Sequence, residues 1–599
     1  MKKYIYVLLA VIIVSLAIYT TVFANNATDA IVSHNTMYLN GRQIECCCFN
    51  ISGNNYFKLR DLAEVLSGTT SQFDVSWNGG KNIIEITTGK AYTPIETQEI
   101  IYYYYYSDTN YPAIPTTSKV LADGKLQNVT AYNIDGNNYF KLRDLANLIP
   151  FDVDWDSKKN AILIFPKLPQ NAYRTKTAYD MQDNTVSPYF SRWRSTITSY
   201  LINNNDKTIG VVEAKSVVQS NEIITQSATE NAIENVTGNN GIVTIETYNE
   251  DYSLIGKKSI EYELPIFGGF FSGDKYNYIA FGQDNSEEND EEEVIRIVKY
   301  DKNFNRIDSV SIKGRESYTI MPFQSGSGKM AECGDKLVFH TSRKRYTTED
   351  GLNHQSQLTI IVDTKDMKVV NDLGSFQRNH VSHSFDQYVL FDGNIHVLVD
   401  HGDAYPRSIV LNKENGENYS EVNLFEIPGK IGANCTGVSI GGFEITPTSY
   451  IVAMNTIDHS MVSEYTSYEM VGLDIDQRDI IICVLPKDSI EKTSVKQVTL
   501  AKYVGSNKIA SIPQFVKVSD ENYMVIWQEY DINSIEGSTY SNTRSDLKYI
   551  FVDKNGNPTS EIQTVKNFVL STCKPIVINN NVVWYTDEGS RVFYSIPLE

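Results

Sequence analysis

The decapeptide Asn54-Asn55-Tyr56-Phe57-Lys58-Leu59-Arg60-Asp61-Leu62-Ala63 recurs letter for letter 83 residues later, beginning at Asn137. An identity of that length marks a duplicated structural unit. The flanks agree. Asn50-Ile51-x-Gly53 returns as Asn133-Ile134-x-Gly136, Asn40-Gly41 as Asp123-Gly124, and Phe73-Asp74-Val75-x-Trp77 as Phe151-Asp152-Val153-x-Trp155. Asn-Gly and Asp-Gly suit the two positive-φ positions of a tight hairpin turn. Within the repeated core, Leu59, Leu62, Ala63 and Leu66 fall on one face of a helix, with Asn54 or Asn55 expected to cap it. Leu142, Leu145, Ala146 and Ile149 repeat that face, and Pro150 stops it. Each copy therefore reads as hairpin, strand, short helix, hairpin, the final hairpins covering residues 73–86 and 151–164. One helix on one small sheet buries little, so the two copies are expected to pack as a pair.

The run Ala131-Tyr132-Asn133-Ile134-x-Gly136-Asn137-Asn138-Tyr139-Phe140-Lys141-Leu142-Arg143-Asp144, followed by Phe-x-Val-x-Trp, resembles the stalk domain of secreted bacterial proteins. That domain is also named the copper amine oxidase N-terminal-like domain. The resemblance covers residues 33–166, about a quarter of the chain. It implies an α+β module, with repeats over residues 30–92 and 118–166. The stalk is a non-catalytic appendage of those oxidases, so it implies neither copper nor amine oxidation. The residues agree. The Asn-Tyr pairs are followed by Phe57, Pro112, Phe140, Ile279, Ser420 and Met524, never by the acid that a quinone precursor requires. No cofactor is expected.

Lys2 and Lys3 precede an apolar run over residues 4–23, and Val22-Phe23-Ala24 offers a small-residue cleavage site. Residues 1–24 read as a secretory signal; the alternative is an uncleaved anchor over residues 4–23, the one route to a membrane. The protein is thus expected to be secreted or displayed at the cell surface. A net charge of −20 argues against nucleic acid as a partner. Seven cysteines are too few for a disulfide scaffold. Cys46, Cys47 and Cys48 align with Val129, Thr130 and Ala131 of the second copy and read as strand positions; adjacent strand residues face opposite ways, so the three cannot converge on one metal ion. Residues 93–117 form a linker containing five consecutive tyrosines, Tyr102 to Tyr106. Residues 167–207 form a connector with a short helix expected over 191–201.

Residues 208–599 carry a weaker repeat, visible in its period. Apolar strands over 276–282, 336–340, 395–399, 450–454, 523–527 and 582–585 are each preceded by a Gly, Asn or Asp turn. Five of them are followed by a second strand that ends in a polar turn, such as Asp301-Lys302-Asn303 or Asp553-Lys554-Asn555-Gly556. An earlier member over 241–248 and the last strand over 592–596 complete the series. Repeated antiparallel meanders at this spacing predict an all-β propeller of about seven blades. The last strand has no following partner, so residues 208–213 are expected to close the ring. A solenoid or two β-sandwiches are the alternatives.

Six of the eight histidines lie between His340 and His401. A pocket at the propeller mouth is read from His383, Asp400, His401, Asp403, Tyr405 and Arg407, since imidazole and carboxylate together bind ligands or serve as acid and base. The blander reading is that these groups hydrogen-bond loop backbones. No tight metal-ligand spacing appears, and no Gly-x-Ser-x-Gly, His-Glu-x-x-His or phosphate loop is present. The acidic run 284–293 and the Asp553 turn read as hairpin tips rather than calcium loops. The expectation is a non-catalytic protein whose stalk module displays a propeller that binds a cell-wall glycan, a peptide or a surface protein. The alternative is a secreted polysaccharide or peptide hydrolase or lyase using His and Asp at the propeller mouth.

Overall fold

The structure, a computed structural model, describes residues 27–46, 48–94, 110–157, 159–175, 183–187, 190, 194–204, 206–216, 241–324, 326–415, 418–461, 477–531, 544–587 and 590–598. The N-terminal segment read as a signal and the tyrosine run lie outside the described residues, as does Cys47. Among the described residues no helix is long and apolar enough to cross a membrane. The chain is almost all β and divides into two compact units, the first reaching Gln170 and the second beginning at Asn171.

In the first unit the two copies pair through their repeated cores. Asn54–Lys58 and Asn137–Lys141 run antiparallel with Phe57 opposite Phe140, at the centre of a closed barrel of six strands. The expected asparagine caps are not used. Asn54 and Asn55 are strand residues, and the helix α1 (Leu59–Leu66) starts only at Leu59, with Lys58 at its cap position and no side-chain cap bond. Cross-strand pairing thus takes the asparagines that a free helix would have used. The predicted apolar face is present: Leu59, Leu62, Ala63 and Leu66 are all buried. The second copy gives α2 (Leu142–Leu148), with Ile149 buried just past its end. Asn40-Gly41 and Asp123-Gly124 form the predicted turns, all four residues at positive φ.

The copies also exchange hairpins. The final hairpin of copy one, Phe73–Asn78 and Ile83–Thr88, takes Lys119–Ala122 of copy two alongside it in parallel. The final hairpin of copy two, Phe151–Asp156 and Ala161–Pro166, takes Thr36–Leu39 of copy one in the same way. One apolar core runs through both, from Phe57, Leu62 and Phe73 to Phe140, Leu145 and Ile164. The cysteine expectation holds only in part: Cys48 opens the strand Cys48–Ile51, but Cys46 is buried outside any strand, as Val129 and Thr130 lie outside one in copy two.

The second unit holds seven antiparallel sheets of four or five strands, in chain order. The six apolar strands read from the sequence are the second strands of their sheets: Asn277–Gly282, Lys336–Arg345, Ile395–Asp403, Ser449–Thr456, Asn522–Asp531 and Asn581–Thr586. In the first sheet that place belongs to Ile209–Ser216, and Gly241–Tyr248 is third. Residues 208–213 therefore do not close the last sheet. Six consecutive buried residues, Ile209 to Ala214, fit an inner strand and not an edge. The outer partner of Val592–Pro597 is instead Ala172–Arg174, a short, partly exposed strand from the connector. The short helix expected over 191–201 is absent from residues 194–201; Ser199–Asn203 is a strand paired with Ile209–Ser216, and that pairing overrides local helix preference.

Each sheet packs on the next. Apolar clusters join the first sheet to the second, the second to the third, and the fourth to the fifth, then the fifth to the sixth. The third meets the fourth through Val338 and Leu398, and Gln514–Lys517 of the sixth meets Ile576–Ile578 of the seventh. The seventh returns to the first, where Val583, Tyr585 and Phe593 bury against Ile209, Val211 and Tyr248.

Candidate functional site

The residues singled out from the sequence divide into a buried set and a surface set. Asp400 and His401 are neighbours on Ile395–Asp403, so their side chains leave opposite faces of the strand. Asp400 is fully buried: it accepts from Ser384 Oγ at 2.7 Å, and His340 Nε2 lies 3.0 Å from its other oxygen. His340 Nδ1 lies 3.0 Å from Thr359 Oγ1, which accepts from Asn379 Nδ2 at 2.9 Å. This chain of bonds ties the third sheet to the fourth. It contains serine, histidine and aspartate, but the carboxylate stands between the other two. The imidazole does not touch the hydroxyl, so it cannot draw off its proton, and no nucleophilic triad results. His401 is buried with Nε2 2.9 Å from Thr436 Oγ1 and its ring edge-on to Phe385. Burial, with Arg194, Arg407 and Arg478 nearby, pushes its pKa down to about 3. It is a neutral packing residue in the folded chain.

His383 and Tyr405 form the surface set, with the buried Asp403 fixing His383 from beneath. A Cβ at Gly402 would stand 2.5 Å from the Pro406 carbonyl oxygen and 2.8 Å from Val381 Cγ1, so a larger residue would force the chains apart. The buried Asp403 carboxylate lies 3.0 Å from His383 Nδ1. His383 holds a left-handed backbone, φ 51°, with its N–H donating to the Gln355 carbonyl at 3.0 Å. Such a conformation costs a non-glycine residue about 1 kcal/mol and persists where surroundings impose it. The His383 ring stacks at 6.4 Å on His354, whose Nε2 lies 2.7 Å from Asp350. Hydrogen bonds from Thr348 and His354 hold the Asp350 carboxyl down to about 2. Each imidazole therefore has one nitrogen fixed by a carboxylate, and neither remaining nitrogen has a hydrogen-bond partner among the described residues.

Tyr405 is 67% exposed, and its carbonyl accepts from Ser382 N at 3.4 Å, beside His383. Arg407 braces this corner rather than facing a ligand, its Nη1 donating to the carbonyls of Asp403 and Ala433 and its Nε to that of Pro428. The sequence reading passed over two features. Asp350 and His354 flank a tight turn, and only their spacing hints at a pair. Phe376, 60% exposed on the loop leading to His383, carries the Arg345 guanidinium 4.2 Å above its ring. A large aromatic in an otherwise polar stretch was the available signal.

Among the described residues, no three His, Cys, Asp or Glu side chains converge as a metal site. The acids of the hairpin over 284–293 are engaged locally: Glu291 pairs with Lys313 and Arg315, and Glu293 with Arg296. Asp553 accepts from the backbone N–H groups of Asn555 and Asn557, both at 2.8 Å, a turn bond rather than a cation ligand.

No family model matches the chain, and no curated protein matches it. Solved structures with local likeness include a Synechocystis apocarotenoid oxygenase, 9% identical, covering 63% of this chain and 64% of its own, at a TM-score of 0.28. The Kuenenia stuttgartiensis hydrazine synthase is 9% identical over 60% of this chain and 93% of its own, at 0.32. A Dyadobacter fermentans protein of unknown function is 10% identical over 60% of this chain and 95% of its own, also at 0.32. The chain thus spans under two thirds of the oxygenase's length. TM-scores of this size carry no functional information.

Proposed function

We propose that this is an exported, non-catalytic glycan-binding protein of the cell surface or wall, in which a duplicated stalk module displays a seven-bladed β-propeller. The propeller reading is supported by seven meanders in chain order, each packed on the next, with a strand from before the first sheet completing the last. The stalk reading rests on the repeated motif and on its helix-on-sheet pairing. Export rests on the N-terminal apolar run.

The binding reading rests on one observation: the backbone of exposed Tyr405 meets Ser382, the residue before His383, and His383 and its stacked neighbour His354 each keep one nitrogen without a hydrogen-bond partner among the described residues. Asp403 accepts the Nδ1 proton of His383, so the Nε2 of a neutral ring is an acceptor. Sugar hydroxyls donate to such acceptors, while sugar ring faces stack on tyrosine. The buried Ser384–Asp400–His340 chain, with its carboxylate in the middle, speaks against hydrolysis. The test is retention on insoluble cell-wall polysaccharide and on peptide-only wall fragments. Retention on glycan that is lost in Tyr405→Ala and His383→Ala is expected. Retention only on peptide, undiminished retention in both variants, or turnover of a glycan would overturn the reading.

A further inference from the structure

The first strands of several sheets in the second unit bring charges together. Lys329 opens Lys329–Cys333 in the third sheet. Asp386 and Tyr388 lie on Ser384–Asp392 of the fourth, and Glu444 on Val438–Ile445 of the fifth. Lys574 precedes Ile576–Ile578 of the seventh, and Arg194 precedes Ser199–Asn203 of the first. The carboxylates are matched. Arg194 Nε donates to Asp386 at 2.9 Å, its Nη2 donates to the Ile440 carbonyl, and Ser327 Oγ donates to the other Asp386 oxygen. Lys574 Nζ lies 2.6 Å from Glu444.

Lys329 is the cation left over. Its Nζ sits 5.1 Å from the centre of the Tyr388 ring, and among the described residues no acceptor lies within hydrogen-bond distance of it. The charged groups that face it are Asp386, Lys574 and Arg194, two of them cations. The Tyr388 hydroxyl likewise has no acceptor among the described residues. Both side chains keep partial solvent exposure, and Lys574 is 55% exposed, so water-sized species reach the group. Three cations against two carboxylates leave one positive charge, Lys329, without a counter-charge, next to one further donor, the Tyr388 hydroxyl, that no described acceptor meets. An ammonium that is partly desolvated and has no counter-ion favours an anion beside it.

We propose that a small anion, a carboxylate or inorganic oxyanion, binds beside Lys329 Nζ, with the Tyr388 hydroxyl as second donor and Lys574 and Arg194 supplying the surrounding positive field. Charge-assisted bonds from ammonium and hydroxyl to anionic oxygen are the strong ones. Burial brings the Lys329 amine down to about 8, so affinity falls as pH rises beyond that value.

The test titrates the whole secreted chain with sodium sulfate and with sodium acetate at constant ionic strength and follows the thermal midpoint. A ligand bound by the folded state raises the midpoint with the logarithm of its concentration. Apparent affinity is expected to drop about tenfold or more in Lys329→Met and by a smaller factor in Tyr388→Phe. Equal response in wild type and Lys329→Met overturns the site. Crystals of the unaltered chain soaked in bromide give a second reading that needs no variant. An anomalous peak within hydrogen-bond distance of Nζ supports the proposal, and peaks only elsewhere overturn it.

Discussion

The guanidinium of Arg591 lies 2.6 Å from the carboxylate of Glu213, joining the last sheet of the second unit to the first. Arg591 also bonds Asp587 through Nε and Nη2, at 3.0 and 2.8 Å, and reaches Glu246 and the Tyr248 hydroxyl. One buried cation thus serves three buried carboxylates. Burial pushes the Asp587 carboxyl well up, while its neighbours hold Glu213 down despite burial.

Replacing Arg591 by methionine leaves Asp587 without a cation and Glu213 and Glu246 with only the more exposed Lys215 and Lys257, and a loss of about 3–5 kcal/mol is expected in urea unfolding. Asp587→Asn keeps the side-chain shape and removes one of the three negative charges crowded round Arg591, so it should cost clearly less than Arg591→Met. Equal losses from the two variants would refute this account of the junction.

His380, His396 and His401 are pushed down to about 4, 4 and 3 by burial first, with nearby cations adding to the effect. The unfolded rings take up protons near 6.5, whereas the folded rings stay neutral to far lower pH. Stability from this source is complete above 6.5 and is lost as pH falls from there toward about 4. Each ring contributes a slope of about 1.4 kcal/mol per pH unit in that window. His401→Asn should flatten the acid limb of the stability curve measured by urea unfolding across pH.

Asp392 ties the fourth sheet to the fifth, accepting from Lys487 at 2.8 Å, Tyr450 at 2.5 Å and Lys413 at 3.2 Å. Burial alone would raise its pKa; the bonds from Lys487, Tyr450 and Lys413 outweigh it and bring it down to about 2. Its contribution is present above 3.8 and vanishes as pH falls through about 2. The cluster is partly open to water, so Asp392→Asn should cost on the order of 1 kcal/mol at neutral pH. Near pH 2 the variant and the wild type should unfold at the same urea concentration.

Phe57 and Phe140 face one another across the joint between the two copies, both fully buried. Phe57→Ala and Phe140→Ala should each cost about 3–5 kcal/mol in the unfolding of the first unit. Comparable losses are expected because the two sites are equivalent by duplication. A loss confined to one would show that the copies are not energetically paired.

Tyr405→Ala removes exposed surface and should leave the thermal midpoint within about 2 °C of wild type. Glycan retention should fall about tenfold, which corresponds to the loss of about 1.4 kcal/mol of stacking and dispersion. A retention assay run beside a melting curve separates the two effects.

The sequence by itself determined what depends on near neighbours. Leu59, Leu62, Ala63 and Leu66 repeat at helical spacing, Asn40-Gly41 and Asp123-Gly124 suit positive φ, and the apolar strands from Asn277 to Thr586 recur between polar turns. These signals are carried by period and backbone preference, which survive without knowledge of distant partners. Tertiary structure alone decided the hairpin exchange between the copies, the choice of Ala172–Arg174 over residues 208–213 as the outermost strand, and the fate of each histidine. A three-residue strand has no period to read, and His401 and His383 look alike until Thr436 and Asp403 arrive beside them. Which donor meets which acceptor is set by surfaces hundreds of residues apart in the chain, and desolvation, which fixes the charge state of each buried group, exists only once those surfaces have met.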